Sequence, residues 1–295
     1  YGQKYFGAKA KKDVEDMIRK MLKVYEERIK SNTWLSAETK KKAVVKLKAL
    51  VLKIGYPDKI EEIFDLLQVD PEKSLYENEV AMSTVRTKYM LAKLTKLVDR
   101  SVWLMPGNLN NACYDPQRND LTFPAGILQA PFYDINQSRG ANYGGIGATI
   151  GHEVSHAFDN SGAKFDERGN MNNWWTDADF AEFNKRVGQM VDIFDGLQYG
   201  PAKVNGKQVV GENIADLAGL ACAVQTGKDD GADLKDLFEN YARSWMQKQR
   251  PEAIKTEVQT DVHAPQPTRV NIPVQCQDEF YDAFGVKKTD GMWLD

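Results

Sequence analysis

Three histidines occur in 295 residues, and two of them stand in Gly151-His152-Glu153-Val154-Ser155-His156. On a helix, positions four apart lie on one face about one turn apart, so His152 and His156 can aim imidazole nitrogens at one divalent cation. Glu153 projects beside them, close enough to take a proton from a water held by that cation. The competing reading is a pair of ordinary helix-surface histidines. Histidine is too scarce here for that, and the motif mechanics point to zinc.

A catalytic zinc needs a third protein ligand and an open position. After His156 the chain reads Ala157-Phe158-Asp159-Asn160-Ser161-Gly162, so the H-x-x-G-x-x-H extension is absent. Cys113, Cys222 and Cys276 show no C-x-x-C spacing, and three cysteines exclude a complete disulfide framework. One bridge with a free thiol, or no bridge, both stay open. The remaining option is a carboxylate on a separate helix. Gly211-Glu212-Asn213-Ile214-Ala215-Asp216 fits, because Glu212 and Asp216 are four apart and face the same way. One can ligate the metal while the other orients a ligand histidine. On most helices E-x-x-x-D is a solvated face. Here its neighbours Leu217, Ala218, Gly219 and Leu220 read as a buried helix, where two unpaired carboxylates would be costly.

The third histidine, His263, lies in Asp261-Val262-His263-Ala264-Pro265, with Arg269 a few residues on. A His or Arg held near the metal can stabilise an oxyanion. Arg269 could also clamp a substrate carbonyl or carboxylate bidentately. A loop His and Arg with purely structural roles are the alternative.

The elements that must position these groups are mainly helical. Val14, Met17, Ile18, Met21, Leu22, Val24 and Tyr25 recur at three-to-four spacing and predict a helix over 8–31. Ser36 is a plausible N-cap for a second helix, 37–53, stopped by Gly55 and Pro57. Asp70-Pro71-Glu72 predicts a helix start, running to about residue 96. From Trp103 to Pro131 the chain is rich in Asn, Pro, Gly and aromatics, which predicts strands and loops. Tyr143-Gly144-Gly145-Ile146-Gly147 leads into the motif helix. Thr176 to Asp179 resembles a capping box opening a helix to about 194. Val204-Asn205-Gly206-Lys207 is a hairpin signal. Further helices are expected at 212–225 and 233–249, then an irregular, Pro-rich tail with a short helix near 275–284. The composition change near residue 101 divides the chain into 1–100, a helical segment, and 101–295, the domain carrying the chemistry.

Hydrophobic residues make up 42% and charged residues 27%, an ordinary globular composition. Net charge is -3, which argues against a dedicated nucleic-acid binder. Residues 1–100 carry 22 Lys+Arg against 15 Asp+Glu, and residues 101–295 carry 17 against 27. Solvated helix faces account for the basic first part. No apolar run is long enough to span a bilayer, and mean hydropathy is -0.53. Tyr1 to Phe6 show no signal-peptide pattern, and no initiator Met opens the chain, so its true start is expected upstream.

Together these residues resemble the neprilysin family of zinc metallopeptidases. The landmarks are Asn111-Ala112-Cys113-Tyr114, Phe123-Pro124-Ala125-Gly126-Ile127-Leu128-Gln129, Asn142-Tyr143-Gly144-Gly145-Ile146-Gly147, the H-E-x-x-H helix, Trp174-Trp175, Glu212 to Asp216, and His263 to Arg269. The resemblance implies an α+β, predominantly helical fold with a gluzincin-type, thermolysin-like catalytic lobe, preceded by part of a second helical lobe. It implies one Zn²⁺ on His152, His156 and Glu212, with Glu153 as general base. Asp216 would orient a ligand histidine, Asp159 would do the same for His156, and His263 would stabilise the oxyanion. Asn111 and Ala112 would hold the substrate backbone, and Arg269 a backbone carbonyl on the primed side. Ile127, Phe132 and Trp245 would line a pocket for a bulky apolar residue, with cleavage on its amino side.

Family members act on oligopeptides and are much longer than this chain, so the missing N-terminal lobe as a separate chain is a possible partner. Ser155 stands where Thr is usual and should point away from the metal. Cys113 replaces the usual aromatic, and Met246 stands where the animal enzymes have a cysteine, so a bacterial-type member is expected. The resemblance favours an extracytoplasmic enzyme, secreted, periplasmic or membrane-anchored, with a cytoplasmic bacterial member as the alternative. Two other functional readings stand beside it: a catalytically silent peptide-binding fragment and a thermolysin-like enzyme. A purely structural zinc is disfavoured, because no fourth protein ligand is placed for it.

Overall fold

The computed structural model describes residues 1–294. Helices dominate. The chain opens with α1 (Gly2–Tyr5), α2 (Gly7–Ser31) and α3 (Ala37–Lys48), then strand β1 (Val51–Gly55), and helices α4 (Ile63–Leu66) and α5 (Leu75–Lys93). Strands β2 (Cys113–Asp115) and β3 (Asp120–Pro124) follow, then α6 (Arg139–Asn142), a π-turn over Tyr143–Gly147, and α7 (Ala148–Ser155). The second half holds α8 (Asp177–Phe194), a small hairpin of β4 (Gln198–Tyr199) and β5 (Ala202–Lys203), and α9 (Gly206–Asp229). It closes with α10 (Leu234–Ser244), α11 (Pro251–Thr260), α12 (Gln266–Gln275) and α13 (Asp278–Phe284). This is the expected α+β, predominantly helical fold.

The periodic stripe on α2 is buried as a unit: Val14, Met17, Ile18 and Met21 have no exposed surface. Its polar face carries the i,i+4 pairs Lys12–Asp16, Glu15–Arg19 and Glu26–Lys30. The stripe packs into one core with Leu121 and Phe123 of β3, Ile150 and Val154 of α7, Leu220 and Val224 of α9, and Tyr241 of α10. Residues 7–55 therefore share their core with the later domain. Much of the apolar surface of residues 56–100 faces outward instead; Leu75, Leu94 and Leu97 are 79%, 80% and 97% exposed.

A three-stranded sheet runs in the order β1-β3-β2, with β1 parallel and β2 antiparallel to β3. Strand β1 corrects the expected second helix, which ends at Lys48 rather than residue 53. Val51 to Gly55 pair in register with Asp120 to Pro124, so long-range pairing overrides the local helical pattern.

Other boundaries move for local reasons. Asp70 closes a turn by accepting from Glu72 N, and α5 begins at Leu75 with Ser74 and Glu77 forming a full capping box. Asn205 does not turn a hairpin: its side chain accepts from Lys207 N and Gln208 N and caps α9, while the hairpin lies upstream between β4 and β5. The tail is helical rather than irregular, because Pro251 and Pro267 sit in the first turns of α11 and α12, where a missing N–H costs nothing. Thr176 caps α8 as expected, but Asp179 turns its carboxylate to Ser36 and Thr39 as well, tying α8 to α3. Among the described residues all three cysteines are free thiols.

Candidate metal centre

Helix α7 is eight residues long and almost wholly buried. It crosses α9 at a pair of glycines. A Cβ on Gly151 would lie 2.4 Å from Gly219 O, and one on Gly219 would lie 2.4 Å from His152 N. Only this approach lets Glu212 and Asp216 of α9 reach the histidines of α7. Tyr25 of α2 braces the same turn: its hydroxyl donates to Gly151 O at 2.7 Å and bonds Ser155 Oγ. Ser155 thus turns toward α2, as expected of a side chain pointing away from the metal.

Each histidine has one ring nitrogen held by a carboxylate. His152 Nδ1 meets Asp216 Oδ1 at 2.7 Å, His156 Nδ1 meets Asp159 Oδ2 at 2.7 Å, and His263 Nδ1 meets Asp261 Oδ1 at 2.7 Å. A carboxylate only accepts, so each Nδ1 carries a proton and each Nε2 turns inward. The three Nε2 atoms surround one oxygen, Glu212 Oε2, at 3.1 Å from His152, 3.4 Å from His156 and 3.1 Å from His263. His152 Nε2 and His156 Nε2 are 2.9 Å apart.

With neutral imidazoles, Glu212 Oε2 is a buried atom with no donor. Four lone pairs then point at one another, and something positive must sit among them. Without a metal that is a proton. Burial disfavours a charged His156, yet Asp159 and Glu212 outweigh it and raise its pKa to about 11. Burial likewise opposes charge on His152, but Asp216 and Glu212 raise it. Burial would raise the Glu212 carboxyl, and the three imidazoles hold it far below the usual range instead. A cation bonded to N and O donors at about 2.0–2.2 Å would hold them at separations close to those seen here, so the residues fit zinc.

Two sets of three can supply the ligands. His152, Glu212 and His263 offer atoms all within 4.8 Å of one another. His152, His156 and Glu212 form the second set, tied by the 2.9 Å and 3.4 Å separations above. The second set is better held. His152 and His156 side chains are 9% and 17% exposed on one helix turn, whereas His263 is 40% exposed on the loop between α11 and α12.

Glu153 is buried beside the pair and takes no hydrogen bond from any described residue. Its carboxylate bears electrostatically on His152, His156 and Cys113. Asp216 anchors the far side. Arg269 Nε and Nη2 each donate to it at 2.7 Å, Trp245 covers the guanidinium at 4.1 Å, and Tyr241 donates to the Arg269 carbonyl. Burial would raise the Asp216 carboxyl, but Arg269 and His152 hold it well below its ordinary range. Arg269 was expected to face substrate. Its two bonded nitrogens are committed to Asp216, and only Nη1 is left unpartnered among the described residues.

Asn111 and Ala112 lie immediately before β2, one of the two edge strands of the sheet, with Asn111 exposed and Ala112 buried. Phe132 and Trp245 meet edge to face with ring centroids 6.5 Å apart, and Ile127 is buried in the same core. Asp261 is the residue that sequence reasoning passed over; an aspartate two positions before a histidine was its only signal.

Known proteins share the sequence and fold of this chain. The pattern of peptidase family M13 matches residues 111–295, and a second pattern of the same family matches residues 1–57. The chain is 86% identical over 295 residues to a neutral endopeptidase of Lactobacillus helveticus, covering all of this chain and 46% of that protein. It is 45% identical over 294 residues to a neutral endopeptidase of Lactococcus lactis, covering 99% of this chain and 47% of that one. Its fold superposes on PepO from Lactobacillus rhamnosis with a TM-score of 0.92 at 46% identity, covering all of this chain and 47% of the other. The zinc metalloprotease Zmp1 of Mycobacterium tuberculosis, in complex with an inhibitor, gives a TM-score of 0.89 at 35% identity over the same shares. The chain spans about half the length of the curated relatives it matches. A fold shared with zinc metalloproteases, and a family pattern that runs through both the H-E-x-x-H helix and the Glu212 helix, place the chain in peptidase family M13.

Proposed function

We propose that this chain carries the centre of a zinc-dependent endopeptidase acting on oligopeptides. The observation that supports this most strongly is the convergence of imidazole nitrogens on Glu212 Oε2, each imidazole fixed from behind by a carboxylate. In this reading His152, His156 and Glu212 hold the metal. Zinc, when bound there, supplies Lewis acidity that polarises a peptide carbonyl and acidifies water.

The chain's own residues do the rest. Glu153, with no protein donor to occupy it, takes a proton from the attacking water and passes it to the leaving amine. His263, its Nδ1–H held by Asp261 and the most exposed of the three histidines, in its protonated form donates through Nε2–H to the oxygen that becomes negative. Asp216 keeps His152 in the tautomer that presents Nε2, and Asp159 does so for His156. An extended peptide lies along Asn111 and Ala112 at the free edge of β2, with main-chain hydrogen bonds holding it. Arg269, through Nη1, contacts a carbonyl on the primed side. Ile127, Phe132 and Trp245 favour a bulky apolar residue, so cleavage falls on its amino side.

A second reading is a peptide-binding chain without turnover, with a separate N-terminal lobe as a partner. Among the described residues no helix is long and apolar enough to cross a membrane; placement outside the cytoplasm remains a proposal from family likeness. Hydrolysis of a quenched peptide, lost with a chelator and restored by zinc, supports the peptidase. Peptide binding without hydrolysis favours the silent reading, and a chain that takes up no zinc overturns the peptidase.

A further inference from the structure

Lys46 of α3 is 1% exposed. A buried ammonium is costly unless its donors are satisfied, and here no carboxylate pairs with it. Instead all three N–H bonds go to backbone carbonyls: Ala157 O at 2.6 Å, Gly162 O at 2.7 Å and Phe165 O at 2.7 Å. The rings of Tyr114, Phe158 and Trp174 enclose it at 5.9, 5.8 and 5.7 Å. None of the roles assigned above uses this group.

Its three acceptors all belong to the stretch that follows His156. Ala157 is the next residue after the motif, at the negative end of α7, where a cation is favoured. Gly162 and Phe165 flank the short turn that folds back beneath it. The same turn fixes Asp159, whose Oδ1 accepts from Ser161 N at 2.7 Å and Gly162 N at 2.6 Å while Oδ2 holds His156 Nδ1. Gly162 therefore donates to Asp159 and accepts from Lys46. The chain of contacts runs from Lys46 through this turn to Asp159, and from Asp159 to the imidazole.

We infer that Lys46 is a positioning residue for the metal centre, setting the turn that carries Asp159 and so the direction in which His156 presents Nε2. This rests on the zinc reading proposed above. Outer partners of ligand histidines change metal affinity about 10- to 100-fold when removed. Lys46 is one contact further out, and it acts only through Asp159.

Zinc dissociation constants are measured by chelator competition on the full chain, on Lys46→Met, on Asp159→Ala and on the double variant, with the unfolding midpoint recorded for each. Lys46→Met raises the dissociation constant at least tenfold in the parent, and adds little once Asp159 is Ala, because the two act in series. Equal losses in both backgrounds overturn the inference. So does a lower unfolding midpoint with zinc affinity unchanged, since that is what a purely structural lysine would give. Should Lys46→Met fail to fold, Lys46→Gln, which keeps two N–H donors without charge, takes its place under the same criteria. A parent chain that binds no zinc overturns the zinc reading itself, a result distinct from a parent that binds zinc and a variant that binds it equally well.

Discussion

Gly151 on α7 and Gly219 on α9 touch backbone to backbone. Either Cβ, if present, would come within 2.4 Å of the opposite main chain. Everything at the metal centre follows from that approach, because Glu212 and Asp216 stand on the same helix as Gly219, about two turns and one turn before it.

Gly219→Ala should separate the two helices. Overpacking a rigid crossing costs about 1–3 kcal/mol or more, and the displacement carries Glu212 away from the imidazoles. The expected outcome is a lowered unfolding midpoint together with weakened zinc uptake, read by calorimetry and metal analysis. An alanine variant with normal zinc affinity would show that the crossing relaxes without moving the site.

His156 and His263 compete for the place of second imidazole ligand. His156→Ala should cost most of the bound zinc. His263→Ala should retain zinc and lose turnover by about 10²–10³, the size of a single lost oxyanion donor. Metal content and kcat on a quenched peptide separate the two, and the reverse pattern would make His263 the ligand.

Glu153→Gln keeps the shape of the site and removes the base. Zinc should stay bound while kcat falls by about 10²–10⁴. Normal turnover in that variant removes Glu153 from the proton-transfer role.

Arg269→Met leaves Asp216, 4% exposed at its side chain, without its bidentate cation. Breaking a buried pair from one side costs about 3–5 kcal/mol. Chemical denaturation should show a loss of that order, and Arg269→Lys should recover only part of it, since an ammonium cannot match both Asp216 oxygens in one plane. A wild-type midpoint for Arg269→Met would mean that His152 alone satisfies Asp216.

Zinc uptake should release protons. His156 has its pKa raised to about 11 and is protonated in the metal-free chain at neutral pH, while that of His152 is raised above its ordinary value. Zinc takes the neutral ring. For each proton displaced, the dissociation constant falls about tenfold per pH unit between the ordinary value and the raised one. In the metal-free chain the same raised values contribute stability that is fully present below the ordinary histidine range and lost as pH climbs through the folded value. Titration calorimetry in buffers of different ionisation enthalpy counts the protons, and a count of zero contradicts the charged cage.

The H-E-x-x-H pair, the E-x-x-x-D pair and the amphipathic stripe of α2 were legible in the sequence because their geometry is helical, and helical spacing is local. The same holds for the Ser36 and Thr176 caps, where a side chain meets a backbone group three residues on. Strand β1 was not legible, since Val51 to Gly55 pair with residues nearly seventy positions later, and no local pattern reports such a partner. Arg269 could be picked out as a candidate, but not its seat on Asp216, nor Asp261 behind His263, nor Lys46 beneath Ala157. Each of those is a contact between side chains, or a side chain and a carbonyl, whose meeting depends on how helices cross. Residue type and spacing determined which groups could bind a cation. The glycine crossing of α7 and α9, and the core that seats α2 and α3 against them, decided that those groups point at one place.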